Sequence, residues 1–337
     1  MKIVRRAAGS AGLRVSALAL ACAFTAVACG GNGAGDTGGK PTIGIVALNL
    51  SNPFFGTLEK ATENAAKAKG WKVMKAEAKT PGDSATQVTA IENMIANKVK
   101  AIVVTPASAT ALNGVLKRAE EQGILVLAVN APLKPDSTAA ATYATDNVAA
   151  GKLIGQWAKA SAPAGAGVAM LDFDLSDAPS ADRHKGFLDG YGIAASALAG
   201  KALTKGTEDT GQQEMENLLS AHPGINVVYT INEPTARGAY TAIKNKGRAG
   251  KVVLVSVDGA CSGVQDVRDG VIGATAMQFP DKMGQKAVQA AAAYIKDGTK
   301  PEGGIVDSGT QLITDRPVKG LASQTSQWGL EHCWGPK

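Results

Sequence analysis

Residues 42–55 read TIGIVALNLSNPFF. Ile43, Ile45, Val46 and Leu48 make a near-continuous apolar run, the pattern of a strand buried on both faces. Ser51-Asn52-Pro53 then reads as a helix start, with a polar cap and a proline in the first turn. Phe54 and Phe55 follow directly. A buried strand ending in a polar residue and two aromatics at a helix N-terminus builds one wall of a cleft for a polar ligand.

Outward from this stretch, the chain alternates strand and helix almost to its end. Strands are expected near 42–48, 71–76, 100–105, 124–129, 141–145, 166–172, 225–231, 252–257 and 272–277. Helices are expected near 53–69, 83–98, 108–122, 147–161, 180–190, 211–221, 234–246, 261–269 and 281–297. Runs such as AIVVTP and VVLVSV are apolar throughout, which argues for parallel sheets covered on both faces by helices. Nine strands in 337 residues are too many for one sheet unit, so two doubly wound α/β lobes are expected. No long linker separates them. Short hinge strands should therefore cross between lobes, near Thr145, Gln278 and Gly309. That divides the chain into 41–145 plus 279–308 for one lobe and 146–278 plus 309–337 for the other.

The N-terminus reads as an export signal over 1–28. Lys2, Arg5, Arg6 and Arg14 precede an apolar run from Val15 to Ala28, too short for a membrane span. Without those four charges the net charge of +6 falls to +2, and no basic run remains to suggest a nucleic-acid partner. The sequence Ala26-Val27-Ala28-Cys29-Gly30 resembles a bacterial lipoprotein cleavage box, with Ala26 where leucine is usual. Cys29 is the expected lipidation site, preferred over Cys22 and over plain peptidase cleavage. Residues 29–40 are Gly-rich and read as a flexible tether. Cys261 and Cys333 remain; an exported chain tends to pair such residues, two free buried thiols being the alternative.

Ligands of open α/β sheets bind beyond the carboxyl ends of strands. This rule nominates Asn52, Asn130, Asp146, Asn232 with Glu233, Asp258 and Gln278, each following an apolar strand. Amides and carboxylates can each bond two hydroxyls. The plainer reading is that Asn and Asp cap helices and form turns there. Phe54 and Phe55 add apolar faces on which the C–H faces of a sugar can pack. Signals for catalysis are poor. His184, His222 and His332 lack metal-site spacing, no G-x-S-x-G elbow occurs, and Gly247-Arg248-Ala249-Gly250-Lys251 is followed by valine. No enzyme activity, cofactor or metal is expected.

From Thr42 to about Leu330 the chain resembles the ribose/galactose type of periplasmic sugar-binding protein, and most of all its fructose-binding subgroup. The matching stretches are NPFF at 52–55, ATDNVAAGKLIGQWAKA at 144–160, RHKGF at 183–187, MENLLSAHP at 215–223, VVYTINEPTARGAY at 227–240, VSVDGACSGVQDV at 255–267, DGVIGATAMQFP at 269–280 and CWG at 333–335. The resemblance implies a type I periplasmic binding protein fold and a monosaccharide or sugar alcohol in the interlobe cleft. It implies ligand roles for Asn52, Phe54, Phe55, Arg183, Asn232, Asp258 and Gln278. It also implies docking on an ABC permease, a monomer, and an extracytoplasmic place on the bacterial membrane. A receptor presenting its sugar to a histidine kinase or chemoreceptor is the alternative. Fructose-type proteins carry cysteines at the positions of Cys261 and Cys333, which supports a disulfide. Two departures stand out. Asn130-Ala131 replaces an Asp-Arg or Asp-small pair, exchanging a charged acceptor for a neutral amide. The family's second-lobe aromatic has no match around Gly206 to Gly211, where Glu208 and Asp209 are the candidates to reach the site.

Overall fold

The structure, a computed structural model, describes residues 39–50, 52–79 and 82–336. The export signal, Cys29 and most of the Gly-rich tether lie outside the described residues. The strands in the first half are β1 (Thr42–Ala47), β2 (Lys72–Glu77), β3 (Ala101–Val104), β4 (Leu125–Val129), β5 (Ala141–Ala144) and β6 (Gly167–Asp172). Then follow β7 (Gly200–Leu203), β8 (Ile225–Thr230), β9 (Val253–Asp258), β10 (Ala274–Gln278), β11 (Ile305–Asp307) and β12 (Thr310–Ile313). The helices are α1 (Pro53–Ala68), α2 (Ser84–Ala96), α3 (Asn113–Glu121), α4 (Asn147–Ser161) and α5 (Ala178–Tyr191), then α6 (Glu208–Ala221), α7 (Glu233–Asn245), α8 (Cys261–Arg268), α9 (Pro280–Asp297) and α10 (Ser326–His332).

Two six-stranded sheets result, ordered β11-β5-β4-β3-β1-β2 and β12-β10-β9-β8-β6-β7. All pairings are parallel except that of β12 with β10. The two α/β lobes read from the sequence are therefore present. Each sheet reverses direction next to its first strand, β1 or β6, which makes a crevice at the carboxyl ends there. The central strands β3 and β4 are buried along their whole length, as apolar runs covered on both faces must be.

Three strands escaped the sequence reading. β7, β11 and β12 are edge strands of three or four residues, and none is buried throughout. A half-exposed edge needs no apolar run, so it leaves little signal in sequence. The short α10 was missed for the same reason.

After β5 the chain enters α4, whose Ala150, Ile154 and Trp157 lie in the core of the second sheet. After β10 it returns, and Met283, Ala287 and Val288 of α9 pack beneath the first sheet. A third crossing runs from β11 to β12. Helices α4 and α5 then pack backbone to backbone. A Cβ on Gly151 would stand 2.3 Å from the Arg183 carbonyl oxygen, and one on Gly186 would stand 2.2 Å from that of Val148. Only glycine permits this approach, and it brings α5, with Arg183, against the start of α4.

Candidate functional site

A cavity of about 350 Å³ opens where the carboxyl ends of the two sheets face each other. That is near the lower end of the range typical for small-molecule sites, ~300–1,000 Å³. Asn52, Phe54, Phe55, Asn130, Arg183, Asn232, Asp258 and Gln278 all line it. Asp146 does not.

The first lobe supplies an aromatic wall. Asn52 caps α1, its Oδ1 accepting the Phe54 N–H at 2.9 Å. This fixes the turn that places both phenylalanines. Their rings meet edge to face with centroids 5.4 Å apart. Phe54 is sunk in the core and shows the cavity only part of its ring, whereas Phe55 is half exposed. Asn130 sits at φ +69°, a left-handed conformation that asparagine tolerates well. Its own N–H is held by Tyr143, and the Ala131 N–H bonds back to the Val129 carbonyl oxygen, so the amide projects from a tight turn after β4.

The second lobe supplies charge. Arg183 donates from Nε to Asn147 Oδ1 at 2.8 Å and from Nη1 to the Ile231 carbonyl oxygen at 3.0 Å; Nη1 stands 3.9 Å from Asp258 Oδ1. Asp258 accepts from Gln278 Nε2 at 3.0 Å and weakly from the Glu233 N–H at 3.4 Å. Burial pushes its carboxyl up to about 6, although the Arg183 charge pulls it down. Behind it, Glu233 accepts from the Gly259 N–H, the Ala260 N–H and the Thr275 hydroxyl. Burial and the Asp258 charge hold the Glu233 carboxyl well above the usual carboxylate range. Asn232 caps α7, accepting the Thr235 N–H at 3.0 Å, and its Nδ2 donates to the Gly206 carbonyl oxygen at 2.9 Å. Two buried polar atoms at the cavity have no partner among the described residues: Gln278 Oε1 and Ser180 Oγ.

Some expectations need correcting. Asp146 is exposed and caps α4 through the Ala149 N–H; the residue that serves the site is its neighbour Asn147, through Arg183. Glu208 and Asp209 form the first turn of α6 outside the cavity lining, and Glu208 lies 3.6 Å from Arg237. The second-lobe aromatic is Phe173, which sequence reading missed. It follows β6 directly, so the rule that nominated the other strand ends could have found it. Gly206 faces the same space: a Cβ there would touch Phe173 Cδ2 at an ordinary 4.0 Å and crowd Asn232 Nδ2 at 3.1 Å. Cys261 and Cys333 form a disulfide.

Among the described residues no group of three or more His, Cys, Asp or Glu could hold a metal ion, and no helix is long and apolar enough to cross a membrane. The cavity combines apolar faces with amides and the buried Arg183–Asp258 pair.

Comparison with known proteins agrees. A family described as "Periplasmic binding protein domain" matches residues 43–300. The ribose import binding protein of Bacillus subtilis is 30% identical over 254 residues, covering 74% of this chain and 80% of that protein. A periplasmic solute-binding protein from Actinobacillus succinogenes, solved with D-allose, superposes with a TM-score of 0.74 at 26% identity, over 82% of this chain and 98% of its own. The Caulobacter myo-inositol binding protein, solved with myo-inositol, superposes with a TM-score of 0.74 at 26% identity, over 82% of this chain and 94% of its own. By fold, site and sequence, this chain belongs to the periplasmic binding proteins, a family that binds solutes outside the cytoplasm and does not transform them.

Proposed function

We propose that this protein is the solute receptor of an ABC importer and that one monosaccharide or sugar alcohol fills the interlobe cavity. The observation that carries this reading is the composition of the walls. Phenylalanines line the cavity from both lobes, Phe54 and Phe55 from one and Phe173 from the other. Asn52, Asn130, Arg183, Asn232, Asp258 and Gln278 supply the polar groups. A ring with C–H faces and hydroxyl edges matches this pattern: the faces pack on the aromatics, and each hydroxyl finds a donor or an acceptor. The ligands named for the relatives, ribose, allose and myo-inositol, share that chemistry. The first-lobe wall holds the ligand while the lobes are apart. Closure adds Arg183 and Asp258, and those added contacts favour the closed state. Cys29 carries the lipid that keeps the receptor at the membrane; labelled palmitate should enter the native chain and not Cys29→Ala.

A thermal-shift screen of sugars and polyols is the direct test. A ligand at 100 times its Kd adds about 2.7 kcal/mol of stability. At least one monosaccharide or cyclitol should raise Tm clearly. If none does, the sugar reading is wrong; if one is converted during incubation, the binding-only reading is wrong.

A further inference from the structure

Trp334 belongs to both lobes at once. Its main chain lies with the second. The Cys261 N–H donates to its carbonyl oxygen at 2.9 Å, it pairs with Ala260, and the preceding Cys333 is bonded to Cys261 at the start of α8. Its side chain lies with the first. Trp334 is only 7% exposed, within the cluster that holds Ile43, Tyr143 and Phe54. Its indole meets Phe54 edge to face, with centroids 5.5 Å apart and planes at 80°. The Nε1–H donates to the Gln278 carbonyl oxygen at 3.0 Å, where the chain leaves β10 to cross between lobes. Phe54 in turn meets Phe55 edge to face. A line of contacts thus runs from the disulfide, through the indole, to the aromatic face of the cavity.

The residues that follow α10 form no helix or strand of their own, so they stay in place only where something holds them. Here the holding group is the covalent bond to α8, whose Val264 is fully buried in the second lobe beside Met277 and Ile313. Without the indole behind it, Phe54 would have space to turn, and Phe55 leans on Phe54. A stacking surface needs a fixed ring plane, because a gap of ~0.5–1 Å already costs the C–H contacts of a sugar roughly a quarter to a half of their attraction.

We propose that Trp334 is the positioning residue of the Phe54–Phe55 wall, and that the Cys261–Cys333 bond is what keeps it in place. The effect on affinity rests on the sugar-site reading above; the effect on the rings does not.

The test uses protein carrying fluorophenylalanine in four forms: native, Cys261→Ser with Cys333→Ser, Trp334→Phe and Trp334→Ala. Fluorine NMR without added sugar reads the rings. Calorimetric titration with D-ribose, D-allose and myo-inositol reads affinity. In the double-serine form, the Phe54 and Phe55 resonances should shift or broaden while Phe187, in the second-lobe core, stays in place. Affinity should fall tenfold or more in that form and in Trp334→Ala. Trp334→Phe keeps a ring behind Phe54 and should stay within about threefold of native. Should Trp334→Ala fail to fold, the double-serine form carries the test alone. Unchanged Phe54 and Phe55 resonances in the double-serine form would overturn the proposal, and so would shifted resonances with native affinity. If the native chain binds none of the three sugars, the sugar reading falls for them, and the fluorine spectra still decide whether the disulfide sets the wall.

Discussion

Replacing Asp258 with asparagine should move stability and affinity in opposite directions. The Asp258 carboxyl is buried, and its rise from the ordinary 3.8 to about 6 measures the cost of charging it inside the folded chain. That difference corresponds to about 3 kcal/mol. Below 3.8 the group is neutral in both the folded and unfolded chain, and the penalty is absent. As pH rises from about 4 to about 6 the folded chain resists ionisation, so stability falls through that window and is flat above it. The Asp258→Asn variant escapes the penalty. Its amide keeps an acceptor for Gln278 Nε2 and gives up the long bond from the Glu233 N–H, worth about 1 kcal/mol; the attraction to Arg183, 3.9 Å away, is lost as well and is already counted in the net rise. A net gain of about 1–2 kcal/mol is expected at pH ~7.5, read as a rise of a few degrees in Tm. At pH ~4 the gain should vanish. Ligand affinity should fall by about 2–4 kcal/mol, roughly 30- to 1,000-fold, because a desolvated charged acceptor has become neutral. Calorimetry with the best sugar from the screen gives the affinity, and melting curves at the two pH values give the stability. Native affinity in Asp258→Asn would remove this residue from the ligand site. A lower Tm at the higher pH would refute the burial argument, whatever the affinity did.

Other substitutions probe separate parts of the site. Phe173→Ala should weaken sugar binding by about 1–2 kcal/mol through lost apolar contact, with little change in Tm, since the ring is largely at the cavity surface; native affinity would show that Phe173 is not a stacking face. Asn130→Asp restores a charged acceptor at the tip of a turn whose backbone aspartate also tolerates, so the order of preference among sugars should change while the fold does not; an identical profile in the thermal screen would show that the departure is without consequence. Gly263→Ala should cost about 2–4 kcal/mol in urea melts, because its Cβ would stand 1.8 Å from the carboxyl carbon of Glu233, which three hydrogen bonds hold in place. Native stability in that variant would mean Glu233 can move, and its tight packing behind Asp258 would then be wrong.

Much of this architecture was legible because burial on both faces forces a strand to be apolar throughout. AIVVTP could hardly be anything else, and the helix between each pair of such runs fixed the parallel winding. Edges carry no such constraint, which is why Gly200–Leu203 and Ile305–Asp307 were silent: their exposed residues obey no pattern. The site divides the same way. Asn52, Asn232 and Asp258 were found from the strand-end rule. That rule sees only that a residue follows a strand, however, and not whether the side chain turns toward the cavity. Asp146 and Asn147 are adjacent, both polar, and both at the start of α4. One caps the helix in solvent and the other holds Arg183 inside. Phe173 failed for another reason. The Gly206 segment holds no aromatic, and the ring enters the same space from the neighbouring strand end.

The choice between a helix cap and a ligand group was never exclusive. Asn52 and Asn232 each spend Oδ1 on the first turn of a helix and still line the cavity. The cap fixes the rotamer before a ligand arrives, so less side-chain freedom is lost on binding. It also fixes the residue, since replacing an Asn cap costs the helix about 1 kcal/mol apart from any effect on the ligand. Arg183 is bound in a similar way, through Asn147 and the Ile231 carbonyl oxygen. Ser180 Oγ and Gln278 Oε1 have no partner among the described residues to lose, and the Asn130 amide and the Phe173 ring have no cap to hold. Ser180 is buried and Gln278 is buried and bonded to Asp258, but Phe173 can change at little cost to the fold, and so can Asn130 within what its left-handed turn admits. If ligand preference has shifted within this architecture, it has shifted there, and exchanging Asn130 and Phe173 together should alter the sugar profile more than any substitution of a capping residue that leaves the protein folded.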